Sequence, residues 1–316
     1  MWCYRPYRDA TTHRLGPTCT AAFGFNRPGA GVGIVTTRQF KETALTSIPP
    51  YYAPQGGHPP QTDLLTDRAV VTEAYTVIPK GVLRDIVTSV LPEWTNTRAW
   101  FLNRPVVGGA TTFAQLIVEV QPGGGSTRPE PQCEVEGFLF VLDGSITVQH
   151  EGQTHELSAG GFAFLPPGMA WQVHGTGTVP ARFQWFRKRY EPLEGHIPQA
   201  VFGHEYNIDP VAMPGTDNKW RTTRLLDTTN LAYDMHVNVV TFEPGAVIPF
   251  AETHVMEHGI YVLEGKAVYR LNADWVEVEA GDYFALRAFC PQACYAGGPS
   301  NFRYLLYKDV NRQVML

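Results

Sequence analysis

The sequence predicts an all-β protein built from two tandem β-barrels. Short runs of β-branched and aromatic residues recur along the chain and end in glycine or proline turns. The 30 Gly and 25 Pro among 316 residues suit many short strands joined by tight turns. The stretch 137–144 repeats the pattern of 258–265, and 160–165 that of 281–286. Two motifs that share one offset of 121 residues indicate an internal duplication.

Composition and charge exclude several classes of protein. The content of 44% hydrophobic and 17% charged residues is typical of a globular chain, and the net charge of -5 gives no reason to expect nucleic acid or a membrane as partner. No apolar run approaches the roughly 20 residues that a membrane span needs. The five cysteines lack zinc or redox spacing, which favours reduced thiols in a cytoplasmic protein.

The chain divides into three predicted segments. Residues 1–50 have no sustained periodicity and are expected to form a loosely ordered extension, whose Gly29–Gly33 lacks the strand-to-helix context of a nucleotide loop. Residues 51–190 are predicted to hold the N-terminal barrel, with lead-in strands up to about Pro105. Residues 191–316 are predicted to be a linker and the C-terminal barrel. Its first and last strands are expected at Met235–Phe242 and Phe302–Asp309.

A carboxylate and two imidazoles lie close together near the start of the second copy. They are Glu252, His254 and His258, and Gln292 follows at the distance expected of a fourth ligand. Glu252 and His254 are two apart and would share one face of a strand. One carboxylate and two histidines with open positions suit a divalent ion such as manganese or iron. The sequence therefore predicts a metal site here.

A zinc-protease helix is the first alternative for this cluster, because His254 and His258 are four residues apart. That motif requires Glu directly after the first His, and Val255 stands there instead. The following run, 259–263, is β-branched and aromatic and ends at a Glu264-Gly265 turn. We therefore predict that the histidines lie at the head of a β-hairpin.

The spacing of these residues resembles the two motifs of cupins. Glu252-x-His254-x3-His258-x6-Gly265 matches the first motif, and Gly281-Asp282 leading to Gln292 matches the second. Two positions depart from the pattern, since Glu252 and Gln292 stand where cupins usually have histidines. The resemblance implies a bicupin, with two tandem jelly-roll-like β-barrels.

The duplication predicts a metal site in the C-terminal barrel only. Shifting the four ligands by 121 residues gives Pro131, Cys133, Gly137 and Trp171, and one thiol alone is not a metal site. Trp171 is expected to fill the space of the lost site.

Two cysteines flank Gln292. Cys290 and Cys294 are expected to be packing neighbours, with soft-metal ligation as the alternative.

The last predicted strand adds further candidates. Tyr304 and Lys308 are four apart, so in a strand they share one face with Leu306 between them. If that face looks into the barrel, a buried ammonium needs an anion, and Lys308 would then bind a substrate carboxylate. The alternative is an exposed lysine at the end of a strand.

A narrower resemblance is to the (S)-ureidoglycine aminohydrolases, whose bacterial members are often called glyoxylate-induced proteins. It rests on the pattern of 252–261, on Gln292-Ala293, on 307–312, and on the upstream stretches 64–69 and 187–190. The resemblance implies an enzyme of purine (allantoin) catabolism that converts (S)-ureidoglycine to (S)-ureidoglycolate and ammonia. A homo-oligomer is expected. It implies Mn²⁺, with Fe²⁺ as the alternative, held by Glu252, His254, His258 and Gln292. It also implies substrate contacts from Tyr269, Tyr304 and Lys308.

The same residues leave other functions open. An Fe(II) cupin dioxygenase would use the same two histidines and carboxylate, and a non-catalytic bicupin that binds a small molecule would need no metal. The general base is also open between a water activated by the ion and the side chains of Lys308 and Tyr304.

Overall fold

Short strands account for most of the computed structural model, which describes residues 68–83, 88–105, 111–309 and 312. The predicted extension, its Gly29–Gly33 and residues 64–67 lie outside the described residues. The strands of the first half are β1 (Val70–Val71), β2 (Tyr75–Ile78), β3 (Thr95–Asn103), β4 (Phe113–Ser126), β5 (Val135–Asp143), β6 (Ser145–His150), β7 (Gln153–Ser158), β8 (Gly161–Leu165), β9 (Gln172–Gly175), β10 (Ala181–Arg189) and β11 (Val201–His204). Those of the second half are β12 (Val211–Ala212), β13 (Trp220–Arg224), β14 (Met235–Phe242), β15 (Val247–Glu252), β16 (His258–Glu264), β17 (Lys266–Leu271), β18 (Asp274–Glu279), β19 (Tyr283–Leu286), β20 (Gln292–Tyr295) and β21 (Phe302–Asp309). No helix in these described ranges is long and apolar enough to cross a membrane.

The N-terminal barrel is one curved sheet with the strand order β11-β8-β5-β10-β4-β9-β6-β7, and β3 pairs with β4. Alternate residues of these strands point inward and form an apolar core that includes Leu139, Leu165, Val173 and Trp185. The predicted all-β fold is confirmed for this half of the chain.

The C-terminal barrel consists of two facing sheets. The larger has the order β1-β2-β19-β16-β21-β14-β13-β12, and the smaller has the order β15-β20-β17-β18. Residues such as Phe242, Ile260, Tyr269 and Phe284 fill the space between them. The strands Met235–Phe242 and Phe302–Asp309 have the predicted bounds, and the two-barrel architecture is confirmed.

Strand register confirms the internal duplication. In the N-terminal barrel Arg187 pairs with Gly137, and Gly137 pairs with Leu165. The residues 121 positions later pair in the same way, because Lys308 lies opposite His258 and His258 opposite Leu286. Equivalent positions in the two barrels can therefore be compared directly.

Sheet membership crosses the predicted segment boundaries at two places. Strand β2, expected to lead into the N-terminal barrel, pairs with β19 of the C-terminal barrel, where Val77 lies opposite Phe284. Strand β11, on the C-terminal side of the predicted boundary, pairs with β8 of the N-terminal barrel. Each added strand covers the edge of a sheet that would otherwise expose unpaired backbone groups.

The predicted β-hairpin after His258 is wrong. Strand β16 pairs with β19 and β21, whereas β17 pairs with β18 and β20, so the two consecutive strands belong to different sheets. Gly265 forms the corner between them with φ of 71°, and a Cβ there would lie 2.1 Å from the backbone oxygen of Asn301. Only glycine fits this corner.

The larger sheet of the C-terminal barrel packs against the sheet of the N-terminal barrel. Aromatic residues dominate this contact, and the rings of Phe113 and Tyr307 stack with centroids 4.1 Å apart. A Cβ on Gly259 would lie 2.2 Å from the side-chain oxygen of Gln115, so the sheets approach closely at this glycine. Because Gly259 follows His258, the N-terminal barrel supports the strand that carries this histidine.

Candidate metal centre

A cavity of about 290 Å³ lies inside the C-terminal barrel. All four predicted metal ligands line it, as do Tyr304 and Lys308. The structure therefore brings together residues that are up to 56 positions apart in the chain, from Glu252 to Lys308. These residues form one wall of the cavity together with Leu306: Glu252, His254, His258, Gln292, Tyr304, Leu306 and Lys308.

Three of the four predicted ligands lie at the ends of strands. Glu252 is the last residue of β15 and lies opposite Gln292, the first residue of β20. His258 is the first residue of β16. The prediction that Glu252 and His254 share a strand face is wrong, because β15 ends at Glu252 and His254 lies in the following loop.

Two hydrogen bonds fix the loop that carries His254. The backbone N–H of Phe289 donates to the carbonyl oxygen of His254 at 2.7 Å. The hydroxyl of Thr253 donates to the carbonyl oxygen of Phe289 at 2.8 Å. This loop is therefore attached to the segment that leads into Gln292.

The two histidines form a close pair with free ring nitrogens. Their ring centroids are 4.6 Å apart at 62°, and Nδ1 of His258 lies 3.4 Å from the amide nitrogen of Gln292. Within the described residues, Nδ1 of His254 and Nε2 of His258 are buried without a hydrogen-bond partner. Burial lowers the pKa of both imidazoles, and the charge on Lys308 lowers it further. Neutral imidazoles with an unpartnered nitrogen are what a metal ion requires of its ligands.

Glu252 would supply the negative charge of such a site. Burial raises the pKa of its carboxyl, and the nearby Lys308 lowers it. Nowhere in the described ranges does a group of three or more His, Cys, Asp or Glu have the geometry of a metal centre. The donor set fits a divalent ion by its chemistry, and ion binding at this wall of the cavity stays a prediction.

Lys308 points into the cavity, as the first of the two sequence interpretations expects. Among the described residues it forms no ion pair, and burial lowers the pKa of its ammonium while the charge of Glu252 raises it. Its counterpart in the other barrel, Arg187, donates to Glu130 through Nε at 2.5 Å and Nη2 at 2.7 Å. Arg187 is thus paired with a carboxylate of its own barrel, whereas Lys308 has no such partner among the described residues.

The two predicted tyrosines lie side by side. Tyr304 lines the cavity, while Tyr269 is fully buried behind it and donates from its hydroxyl to that of Tyr304 at 3.2 Å. Burial raises the pKa of both phenols well above its usual value. Both groups therefore stay protonated at neutral pH, and Tyr304 can donate a hydrogen bond into the cavity.

A second polar wall of the cavity was not predicted. It includes Arg224 on β13 together with His236 and Asn238 on β14. Burial, with the charges of Lys308 and Arg224, lowers the pKa of His236 to about 4, so its imidazole is neutral. The alternation of β14 would have revealed this wall, because residues 236, 238 and 240 share one face of the strand.

The equivalent region of the N-terminal barrel holds apolar side chains. Trp171, the counterpart of Gln292, is buried in the core and lies edge-on to Trp185 with ring centroids 6.1 Å apart. Cys133 is an exposed free thiol.

Cys290 and Cys294 are buried in the core of the C-terminal barrel. Burial raises the pKa of both thiols, which disfavours the thiolate form that a soft metal would need.

Comparison with known proteins agrees with this architecture. A family model described as a EutQ-like cupin domain matches residues 107–190, and one described as a cupin domain matches 238–307. The crystal structure of a glyoxylate-induced protein from Pseudomonas aeruginosa is 59% identical, with a TM-score of 0.77. That match covers 84% of this chain and 98% of the other.

Two relatives have an assigned enzymatic activity. The (S)-ureidoglycine aminohydrolase of Escherichia coli (strain K12) is 34% identical over 257 residues, which is 80% of this chain and 95% of that protein. The (S)-ureidoglycine aminohydrolase of Arabidopsis thaliana is 33% identical over 228 residues, or 72% of this chain and 73% of that protein.

Proposed function

The chain belongs to the (S)-ureidoglycine aminohydrolase family, and we propose that it hydrolyses (S)-ureidoglycine to (S)-ureidoglycolate and ammonia in purine (allantoin) catabolism. One observation carries this proposal: the candidate ligands, Tyr304 and the unpaired Lys308 line one cavity of about 290 Å³. That volume suits a small, charged amino acid derivative. We also place the enzyme in the cytoplasm, a reducing compartment in which the thiols Cys133, Cys290 and Cys294 would stay free.

We propose that Glu252, His254, His258 and Gln292 hold a divalent ion, with Mn²⁺ as the first candidate and Fe²⁺ as the second. Support comes from the two unpartnered imidazole nitrogens and the buried carboxylate. When bound, such an ion would supply Lewis-acid chemistry to the carbon that loses its amine and to the attacking water. Because Gln292 is neutral, Glu252 is the one anionic ligand of the set.

Lys308 would bind the substrate carboxylate. The counterpart pair supports this role, because Arg187 at the same register position donates to the carboxylate of Glu130 in the other barrel. Pairing at Lys308 would fix one end of the substrate and so present one face of its central carbon to the candidate ligands.

Tyr304 would act as a hydrogen-bond donor to the substrate. Its hydroxyl accepts from Tyr269, which leaves its own proton directed elsewhere, and its raised pKa disfavours a role as general base. Of the bases considered, a water molecule therefore ranks above this phenol. The proposed reaction breaks one C–N bond and forms one C–O bond, and the departing amine takes up the proton that water loses.

The test combines three measurements on the purified protein. We expect one manganese per chain by metal analysis, ammonia release from freshly prepared ureidoglycine, and no oxygen consumption. Oxygen uptake with bound iron would instead support a cupin dioxygenase, which uses the same two histidines and carboxylate. Folded protein with neither metal nor turnover would support a non-catalytic bicupin.

Two ligand variants locate the site. His254→Ala and His258→Ala should lose both metal and ammonia release but keep the fold, because strand pairing and packing stabilise the barrel. The control is His196→Ala, a change in the exposed linker between the barrels. Two ions per wild-type chain, or full metal occupancy in these variants, would contradict the single-site proposal.

A further inference from the structure

The polar wall formed by β13 and β14 has no role in the proposed hydrolysis. Asn238 is 4% exposed and lines the cavity, yet its side-chain oxygen has no hydrogen-bond partner within the described residues. Arg224 lies directly opposite Asn238 in the sheet and lines the same cavity. A buried acceptor without a partner destabilises a fold, so its presence needs an explanation.

The duplicated barrel shows that the fold does not require this asparagine. Asn238 lies opposite Leu306 in the C-terminal barrel. The counterpart of Leu306 in the N-terminal barrel is Trp185, and the residue opposite Trp185 is Leu116. By strand pairing, Leu116 is therefore equivalent to Asn238. Leu116 is fully buried in the core of that barrel. A leucine of similar size is therefore accepted at the equivalent position, which points to a ligand as the reason for the amide.

Arg224 supplies donors beside this acceptor. It forms no ion pair with any described residue, and its hydrogen bond to the hydroxyl of Thr228 is long at 3.5 Å. Its guanidinium carries five N–H donors and no acceptor. The wall thus presents a cation with spare donors next to an unpartnered amide oxygen.

We propose that Arg224 and Asn238 form a subsite for the ureido group of the substrate. Arg224 donates to the urea carbonyl oxygen, and the side-chain oxygen of Asn238 accepts from the urea NH2. This inference rests on the proposed function and adds the feature that would select a carbamoyl group over other amides.

The spacing of the sheet fits a short substrate that spans both sites. Asn238 and His236 are two residues apart in β14, and His236 lies opposite Lys308. Two residues of a strand cover about 7 Å, which is comparable to the length of a molecule with a carboxylate and a ureido group on one carbon. Lys308 and the Arg224–Asn238 wall can therefore hold the two ends at once.

Two non-reacting probes differ at the relevant group. N-carbamoylglycine has the carboxylate, the carbonyl and the NH2, whereas N-acetylglycine has a methyl group in place of that NH2. Calorimetric titration of manganese-loaded wild type should show at least tenfold tighter binding of N-carbamoylglycine, the factor that corresponds to about 1.4 kcal/mol.

Variants separate the two contacts. Asn238→Leu, which introduces the residue type found at Leu116 in the other barrel, should remove the preference between the probes while metal content is retained. Its Tm should equal or exceed that of the wild type. Arg224→Met should weaken both probes by a similar factor, because both have the carbonyl. Asn238→Ala serves as a second variant with the same expected loss of preference if the leucine variant does not fold.

Equal affinity of the wild type for the two probes, no binding of N-carbamoylglycine, or a preference that survives in Asn238→Leu would each overturn the subsite. The outcome is distinct from that of the proposed function. Wild type that prefers N-carbamoylglycine but releases no ammonia from ureidoglycine would retain the subsite and refute the hydrolase. Wild type that releases ammonia but binds both probes equally would support the hydrolase and refute the subsite.

Discussion

At the scale of single residues, the two barrels carry a cation at the equivalent position but pair it differently. Arg187 is satisfied by Glu130 within its own barrel and stacks over the ring of Trp185 at 4.9 Å. Lys308, at the equivalent register position, has no carboxylate partner within ion-pair distance among the described residues. A cation that the fold leaves unpaired in a cavity is available to a ligand, whereas a paired one serves stability.

The Lys308→Met variant tests this difference. The methionine keeps most of the packing of the stem but removes the charge, so the loss should affect catalysis and leave stability and metal content unchanged. Removing one partner of a desolvated ion pair costs about 3–5 kcal/mol, which corresponds to a fall of roughly two to three orders of magnitude or more in kcat/KM.

Steady-state kinetics of Lys308→Met and of a matched surface variant decides whether Lys308 acts in the active site. Lys219→Met changes an exposed position outside the cavity. Its effect on kcat/KM should correspond to no more than about 0.5 kcal/mol of activation free energy. Near wild-type turnover in Lys308→Met would remove this lysine from the active site.

At the scale of elements, a short N-terminal ribbon completes the C-terminal barrel. Strands β1 and β2 extend its larger sheet, and Asp282 anchors their ends. The fully buried carboxylate of Asp282 pairs with the guanidinium of Arg68 and accepts from the backbone N–H groups of Lys80 and Glu279, each at 2.9 Å. One side chain thus joins a segment before the N-terminal barrel to the barrel that holds the cavity.

Asp282→Ala should therefore destabilise the protein strongly. The change leaves Arg68 without its buried partner and two backbone donors unsatisfied, and we expect a loss of about 3–5 kcal/mol in the free energy of unfolding. Glu279→Ala is the control, because this partially exposed carboxylate should contribute about 1 kcal/mol or less. Denaturant titration of both variants measures the difference, and equal losses would refute the anchoring role.

At the scale of the whole molecule, one barrel contains the candidate site and the other supports it. Trp171→Ala should act as a core truncation in the N-terminal barrel, with a loss of about 3–5 kcal/mol in the free energy of unfolding. Metal content per folded chain should not change. A stable Trp171→Ala variant that had lost its metal would show that the site lies in the other half.

Buried charges also lie between the two barrels. Lys188 of the N-terminal barrel and Asp234 of the C-terminal half form an ion pair at 2.5 Å. Burial, together with the adjacent Asp234, raises the pKa of Glu136 well above its usual value. Burial acts to raise the pKa of Asp234, but the neighbouring carboxyl of Glu136 and the charge of Lys188 lower it. Glu136 is therefore protonated in the folded protein at a pH where the unfolded chain has released that proton.

This arrangement predicts a pH dependence of stability. Above the unfolded pKa of Glu, about 4.3, folding takes up a proton at Glu136, so the free energy of unfolding falls as pH rises towards the folded pKa. The slope from this one group is about 1.4 kcal/mol per pH unit. Asp234 titrates in the unfolded chain near about 3.9 and contributes below this window. Glu136→Gln should remove this contribution. A free energy of unfolding that falls above about pH 5 as steeply in the variant as in the wild type would contradict it.

The sequence by itself determined the local and repetitive features of this protein. The bounds of Met235–Phe242 and Phe302–Asp309 and the shared face of Tyr304 and Lys308 follow from strand alternation, which each segment encodes on its own. The duplication follows from two motifs that recur at one offset. That the shared face looks into the cavity was decided by the folded structure. The candidate ligands were found from their clustering along the chain and from a spacing that resembles the cupin motifs.

Only the tertiary structure decided which strands pair and which walls face each other. The attachment of β2 to β19, the corner at Gly265 and the convergence of Arg224 and Asn238 on the cavity depend on contacts between distant segments. Strand alternation gives the face of a side chain but not its partner strand. Pairing is selected by the burial of both faces together, and that quantity exists only in the folded chain.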